Sequence, residues 1–502
     1  MKCSPRRQCR VAIGAVLVCI SALTLVTRPA FAEGEELPAL SPQEIAQQVL
    51  DAVVLVEVRK QEGQAQGSGF FVEGRVVVTC LHVIDGATEL AVVLRDGTRI
   101  EDLFVQGFDV ERDLAVLVTD LSAAPTTIAF GDTTGLEVGA PIVTISHPLG
   151  LKHTVTEGIV SAWREPTDEE PEEDTPFSIL RLISSRLLQI SATISPGSSG
   201  GVVLNDRGEA VGVAASGVAW GAAGLNFAVP IDALIPLLEQ TEAMDLMTFR
   251  DRVDDVRREL ARPLYEDGRL AYELGHMRKA RRKLERALSL FPRYTEALLL
   301  SGTIEMAAGG IDVAEQHFRR ATEIDEYSAE AWYGTGRVHH ARAMTSDSAL
   351  EFSKAQAAFE KAIDNDTRHA GASYRLATIQ ILQGDLARAE QLLTTAIDSD
   401  PRLVGAYYAL GQVYAQTERV EDGIELLEQA LQQDPEHALC HFGLAVLYMN
   451  DEIATLRGVA QHGRSAEHWK EFLRLSKGDP TLAEERETAL YYVNRYYHSL
   501  VE

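Results

Sequence analysis

The 502-residue sequence has few cysteines and too few basic residues to balance its acids. Three of the five cysteines lie in the first 32 residues, which leaves Cys80 and Cys440 in segments of different character. A disulfide framework is therefore not expected. The 47 basic and 74 acidic residues give a net charge of −27. Because this charge repels phosphate backbones, we expect no nucleic-acid partner.

Motifs for metal and nucleotide binding are also lacking. The 13 histidines show no His-Glu-x-x-His spacing, and no Gly-x4-Gly-Lys-Ser/Thr phosphate loop occurs. The sequence therefore predicts neither a metal nor a nucleotide cofactor.

A long apolar run occurs only near the amino terminus, at 11–26, after a basic stretch and before the sequence AFA at 30–32. This order is typical of a secretory signal peptide over 1–32, cleaved after Ala32. The alternative is a retained membrane anchor, but the run is shorter than the ~20 residues of a spanning helix. Cleavage would remove five basic residues and no acid, taking the net charge to −32. We expect an exported protein of the periplasm or cell envelope, with full secretion as the other destination.

The remaining chain divides into two parts of different periodicity. From 52 to about 230, short runs rich in Val, Ile and Leu alternate with Gly, Asp and Asn turns, which predicts antiparallel barrels or a sandwich. From 231 onward the pattern is helical to the carboxyl terminus. We place an all-β domain at 33–235 and a helical linker at 236–260.

The helical part repeats itself, which is a strong indication of a solenoid. Small residues recur with spacings of 34, 34, 41, 34 and 34 residues at Gly268, Gly302, Gly336, Ala377, Gly411 and Ala445. The pattern resembles tetratricopeptide repeats, with about six units over 261–480 and a capping helix over 481–502. The extra residues of the third unit (344–353) and the sixth unit (450–464) are expected to form loops. A stacked solenoid predicts binding of a protein partner, although repeats that only stiffen or oligomerise the protein are the alternative.

Three motifs in the β part carry chemistry. The sequence GSGFFV at 67–72 leads through VVVT to CLHVI at 80–84, RDLAVL follows at 112–117, and GSSGG occupies 197–201. Alone, His82 could be a core histidine, Asp113 a turn cap and Ser199 a linker serine. Together they stand in the order His, Asp, Ser that marks the chymotrypsin arrangement.

Three further segments resemble the same group of proteases: ISHPLG at 145–150, VTEGIVS at 155–161 and GLNFAVP at 224–230. Over about 65–235 the chain resembles the HtrA (Deg) subgroup of trypsin-like serine proteases. The resemblance implies a chymotrypsin-like double β-barrel, joined here to tetratricopeptide repeats where the family usually has PDZ domains. It implies an ATP-independent endopeptidase that cleaves proteins or peptides, and it allows a homo-oligomer.

The resemblance also assigns roles to residues. Ser199 would be the nucleophile, His82 the general base and Asp113 its orienting carboxylate. The oxyanion hole would lie in the backbone of Gly197, Ser198 and Ser199, mainly in the N–H groups of the first and last, each worth about 3 kcal/mol.

Substrate binding would fall to a further set of residues. A strand at 215–217 would pair with the substrate backbone, and Thr193 would form the floor of the specificity pocket. These expectations concern Thr193, Ala215, Ser216, Gly217 and Asn226.

Two positions depart from the family pattern. Ser198 replaces the aspartate of relatives that are activated by cleavage, so zymogen processing is not expected. Asn226 stands where glycine is usual and alters the expected pocket. The alternative function is a pseudoprotease or assembly scaffold that binds peptides through the barrel cleft and the repeats.

Overall fold

The computed structural model describes residues 39–61, 63–121, 126–148, 153–166, 185–215, 225–346, 348–449 and 460–496. The expected signal peptide at 1–32 lies outside these residues. So do Ser216 and Gly217 and most of the insertion expected at 450–464. Within the described ranges, no helix combines the length and the apolar character needed to cross a membrane.

A short helix, α1 (Pro42–Val49), opens the described chain with a capping box. The Ser41 hydroxyl accepts the Glu44 N–H at 3.3 Å, and the Glu44 carboxylate accepts the Ser41 N–H at 2.8 Å. Ile45 and Val49 are buried and attach the helix to the first core.

The first sheet is antiparallel and has seven strands in the order β5-β4-β1-β2-β3-β7-β6. Its elements are β1 (Val53–Lys60), β2 (Gly63–Phe71), β3 (Val76–Cys80), α2 (Leu81–Ile84), β4 (Glu89–Val93), β5 (Arg99–Ile100), β6 (Leu103–Asp109) and β7 (Leu114–Thr119). The ladder does not close between β5 and β6. Instead Met244 pairs with Val105 through two 2.8 Å backbone hydrogen bonds, which protects the β6 edge.

The second sheet is a closed barrel with the strand order β10-β13-β12-β11-β8-β9. Its strands are β8 (Pro141–Ser146), β9 (Thr154–Arg164), β10 (Leu187–Ile190), β11 (Val202–Leu204), β12 (Ala210–Ala215) and β13 (Asn226–Pro230). Side chains alternate between two cores: Val203 faces the barrel interior, while Val202 joins the core of the first sheet. The predicted fold class, two β-barrel units followed by a helical solenoid, is confirmed, although the first unit is an open half-barrel.

The chain leaves the second barrel through α3 (Ile235–Leu238) and enters a 28-residue helix, α4 (Leu246–Glu273). Asp245 caps α4 by accepting the Thr248 N–H at 2.8 Å. Phe249 and Val253 of α4 are buried in the first β core, whereas Ala261 and Ala271 belong to the core of the first repeat. One helix thus crosses the boundary expected at 260/261.

The repeats are antiparallel helix pairs that begin with α4 and α5. The helices are α5 (Met277–Leu290), α6 (Thr295–Ala307), α7 (Ile311–Ile324), α8 (Ala329–Ser346), α9 (Ala349–Asn365), α10 (Ala370–Gln383), α11 (Leu386–Ser399), α12 (Val404–Gln416), α13 (Val420–Gln433), α14 (Ala438–Tyr448), α15 (Ala460–Leu475) and α16 (Ala483–Tyr496). The recurring small residues let paired helices approach closely. A Cβ at Gly336 would lie 2.4 Å from the Phe359 ring, so a larger residue would force the helices apart.

The expectation of a loop at 344–353 is wrong. The extra residues lengthen α8 to 18 residues and α9 to 17, so that α8 extends to Ser346 and α9 begins at Ala349. Ser348 caps α9 by accepting the Glu351 N–H, and Glu351 contacts His339 of α8 at 2.7 Å. In the sixth unit, 450–459 lies outside the described residues, and α15 already begins at Ala460.

Candidate active site

His82 and Asp113 are in direct contact. His82 lies on α2, directly after β3, and Asp113 lies in the turn between β6 and β7 with a positive φ of 63°. The Asp113 Oδ2 atom is 2.5 Å from Nδ1 of His82, and its Oδ1 atom accepts the His82 backbone N–H at 2.9 Å. The Asp113 side chain is 10% exposed and that of His82 is 42% exposed. One buried carboxylate therefore fixes one edge of the imidazole, while the ring remains open to solvent.

The backbone of α2 around His82 makes two further hydrogen bonds. The Leu81 N–H donates to the Asp113 carbonyl at 2.9 Å. Lys60 at the end of β1 donates from Nζ to the His82 carbonyl at 3.1 Å. Nothing in the sequence around Lys60 indicates this contact, which lies 22 residues away.

The loop at 197–201 is docked on β2 and on β3, the strand that leads to His82. Ser68 on β2 donates its N–H to the Ser199 carbonyl and its hydroxyl to the Gly197 carbonyl, both at 2.8 Å. Thr79, three residues before His82, donates its hydroxyl to the Ser68 carbonyl at 2.8 Å. Ser68 therefore connects the predicted nucleophile loop to the predicted base. Its role depends on partners about 130 residues apart in sequence and could not be seen in the motif GSGFFV.

Gly200 is required by this docking. Its φ is +85°, and a Cβ would lie 2.1 Å from the Ser68 carbonyl oxygen and 2.6 Å from the Thr79 hydroxyl. Any side chain would push the loop away from β2 and β3. Gly197 also has a positive φ, of 91°.

Of the three residues expected to form the oxyanion hole, Ser198 has its N–H engaged. That group donates to the Ser195 carbonyl at 2.8 Å and closes a turn. The Ser198 hydroxyl is buried and accepts from the Ser146 hydroxyl at 3.0 Å. Ser198 is thus not an oxyanion donor while the turn is closed, and the expected donors reduce to Gly197 and Ser199.

The expected specificity residues lie on the second barrel. Thr193 is exposed, and its carbonyl accepts the Thr156 hydroxyl at 3.4 Å. The Asn226 side-chain oxygen accepts the Ile194 N–H at 3.4 Å, which links the start of β13 to the Thr193 segment. Ala215 ends β12 and pairs with Phe227, while Ser216 and Gly217 lie outside the described residues.

One group of metal-ligand atoms occurs at this site. A Cys80, a His82 and an Asp113 ligand atom lie within 4.8 Å of one another, in a combination that transition metals accept. The Cys80 thiol is buried and contacts the Ala214 carbonyl at 3.4 Å. The absence of a metal remains a prediction from sequence.

Comparison with known proteins agrees with this architecture. The family profile for "Trypsin-like peptidase domain" matches residues 67–213. Profiles for "Tetratricopeptide repeat" match residues 265–329, 351–412 and 404–447. The chain thus joins a trypsin-like peptidase domain to tetratricopeptide repeats.

The peptidase domain is similar to HtrA-type proteins. The chain is 32% identical over 216 residues to a "Probable periplasmic serine endoprotease DegP-like" of Halomonas elongata, covering 41% of this chain and 42% of that protein. It is 35% identical over 181 residues to the "Putative serine protease HhoA" of Synechocystis, covering 35% and 43%. The chain spans about two-fifths of the length of these relatives. A solved structure of the HtrA-type protease AlgW with a tripeptide aligns at 28% identity and a TM-score of 0.34, over 40% of this chain and 62% of that one.

Proposed function

We propose that the chain is an exported serine endopeptidase that uses Ser199, His82 and Asp113 as a catalytic triad. The observation that carries the proposal is the 2.5 Å contact between the Asp113 carboxylate and His82 Nδ1, beside the docked loop of Ser199. A histidine whose Nδ1 is held by a buried carboxylate presents its Nε2 as a base.

The geometry supports one role for each residue. Ser199 attacks the scissile carbonyl as His82 removes its hydroxyl proton, and the acyl–enzyme forms when His82 returns that proton to the leaving amine. Water then hydrolyses the acyl–enzyme by the same proton transfers. Asp113 stabilises the imidazolium, and the N–H groups of Gly197 and Ser199 stabilise the oxyanion. No step requires ATP.

A fluorophosphonate probe tests this proposal, because it labels only an activated serine. The wild-type chain should be labelled at Ser199 and should cleave an unfolded protein. An unlabelled, folded chain that still binds extended peptides would support the scaffold function instead. The related proteins named as periplasmic support a location in the periplasm, which fractionation of the cell envelope would check.

Cleavage should follow small aliphatic or uncharged residues at P1. The expected pocket floor, Thr193, supplies no carboxylate to pair with lysine or arginine, and the Asn226 side chain narrows the pocket. Profiling with a peptide library should show P1 Val, Ala or Thr at least about tenfold above P1 Arg or Lys. A profile dominated by basic P1 residues would show that Thr193 is not the pocket floor. The variant Asn226→Gly should broaden the P1 preference towards larger apolar residues.

The repeats should recruit a substrate or partner protein rather than take part in the chemistry. Removal of 276–502 keeps α4 whole, including the residues that it buries in the β core. We expect kcat/KM for short peptides to stay within about tenfold of wild type. For a physiological protein substrate, kcat/KM should fall further, mainly through a higher KM, because a tethered docking site raises the local substrate concentration. Circular dichroism and gel filtration check that the shortened chain is folded. Equal losses for both substrates would contradict recruitment.

A further inference from the structure

The helix α4 is packed against the strand that leads to Asp113. Phe249 is fully buried in the first β core, and its ring lies 5.4 Å from that of Phe108, edge to face. Phe108 is on β6, five residues before Asp113. Burial of the apolar side chains of Phe249 and Val253 stabilises this docking. The first half of α4 is therefore a part of the peptidase domain.

The same helix forms an ion pair with the turn that carries His82. Arg257 Nη2 lies 2.7 Å from Asp85 Oδ2, and the two side chains are only 22% and 32% exposed. Asp85 is the residue after α2, and its N–H donates to the Leu81 carbonyl at 2.9 Å. An ion pair of this burial holds its partners more firmly than one on the open surface. Lys60 anchors the opposite side of the turn through the His82 carbonyl.

A second, more exposed ion pair connects the first half of α4 to the turn after α5. Asp254 lies about one helical turn before Arg257, and its Oδ2 is 3.7 Å from Nη1 of Arg293. Arg293 lies in the turn between α5 and α6. Burial raises the pKa of Asp254, while the positive charges of Arg293 and Arg257 oppose that rise and favour the carboxylate. The charges therefore alternate from the repeat to the turn of His82, in the order Arg293, Asp254, Arg257 and Asp85.

We propose that Arg257 is a positioning residue for His82, because its ion pair with Asp85 holds the His82 turn in its active place. The inference rests on the proposed function, since it requires His82 to be the general base. It gives the first half of α4, the helix that leads into the repeats, a part in the rate of the chemical step.

The physical reason lies in the precision that proton transfer requires. A displacement of about 1 Å in a catalytic group costs up to about a hundredfold in rate. Without Arg257, the Asp85 carboxylate loses this partner, and α2 can shift towards solvent. The expected substrate residues Thr193 and Ala215 belong to the second barrel, so substrate binding should change little.

The test measures kcat and KM for a short peptide in the full-length protein, with active sites counted by fluorophosphonate titration. We expect Arg257→Ala to lower kcat per active site by about tenfold with KM within about twofold. Arg257→Lys should recover part of the loss, and the exchange Asp85→Arg with Arg257→Asp should recover more. Arg258→Ala is the matched control: it is the next residue on α4, its side chain is 61% exposed and 3.5 Å from Glu296, and its variant should retain wild-type kcat.

Counting active sites separates positioning from folding. A purely structural role would reduce the number of titrated sites or the Tm and leave kcat per site unchanged. The inference is overturned if kcat per site in Arg257→Ala stays within twofold of that in Arg258→Ala. If the wild-type protein is neither labelled nor active, the proposed function itself has failed, which is a different result.

Discussion

Replacing Ser199 or His82 by alanine should lower kcat for peptide hydrolysis by about six orders of magnitude. In the proposed mechanism, Ser199→Ala removes the atom that forms the acyl–enzyme, and His82→Ala removes the base that activates it. The two losses should not add in the double variant, because each change alone disables the same step. The measurement is a discontinuous peptide assay with the protein at micromolar concentration, together with fluorophosphonate labelling.

Ser198→Ala is the matched control for this prediction, since the two serines are adjacent and both buried. The Ser198 hydroxyl accepts from Ser146 and from the Ser195 N–H, so its loss should loosen the loop and cost at most about tenfold in rate. Ser198→Ala should still be labelled, whereas Ser199→Ala should not. If labelling is lost only in Ser198→Ala, then Ser198 and not Ser199 is the nucleophile.

Asp113→Asn should lower kcat by about four orders of magnitude while the protein remains folded. Both carboxylate oxygens accept from His82, one from the backbone N–H and one from Nδ1. An asparagine has one oxygen for these two donors, so its NH2 group would face either the backbone N–H or the ring. If it faces the ring, the proton moves from Nδ1 to Nε2, and Nε2 can no longer act as a base.

Asp109→Asn is the control for Asp113→Asn. Asp109 lies in the same β6–β7 hairpin and accepts from the Arg112 N–H and guanidinium at 2.8 Å, so it tests damage to the hairpin alone. We expect that variant to keep kcat within about threefold, because the lost ion pair has a half-exposed guanidinium and does not contact His82. Similar activities for Asp113→Asn and wild type would show that His82 does not depend on this carboxylate and would contradict the triad.

Much of this architecture could be predicted from local patterns. The candidate base and its carboxylate come from short motifs in which a strand ends at a functional residue, and the structure places His82 and Asp113 in contact. The repeats could be predicted because small residues recur where helices cross, as at Gly336 against Phe359. Each of these signals lies within a few residues of sequence or repeats with a fixed period.

What could not be predicted depends on contacts between distant segments. Ser68 holds the Ser199 loop and Arg257 holds Asp85 across 129 to 172 residues of sequence, and no local pattern indicates either pair. The third repeat differs from its prediction for another reason. The inserted segment contains a helix start, because the Ser348 hydroxyl accepts the Glu351 N–H, and α9 therefore begins at Ala349 inside the predicted loop.

The core shared by the two sheets has a consequence for the order of folding. Val54 and Val78 of the first sheet pack in one cluster with Val202 of the second barrel and with Phe249 of α4. A nascent chain that ends anywhere before α4 therefore lacks part of the core on which its earliest strands depend. The peptidase domain becomes complete only when the start of α4, the helix that leads into the repeats, is present. The amino-terminal strands therefore remain unfolded or partly folded until about 200 further residues have been synthesised.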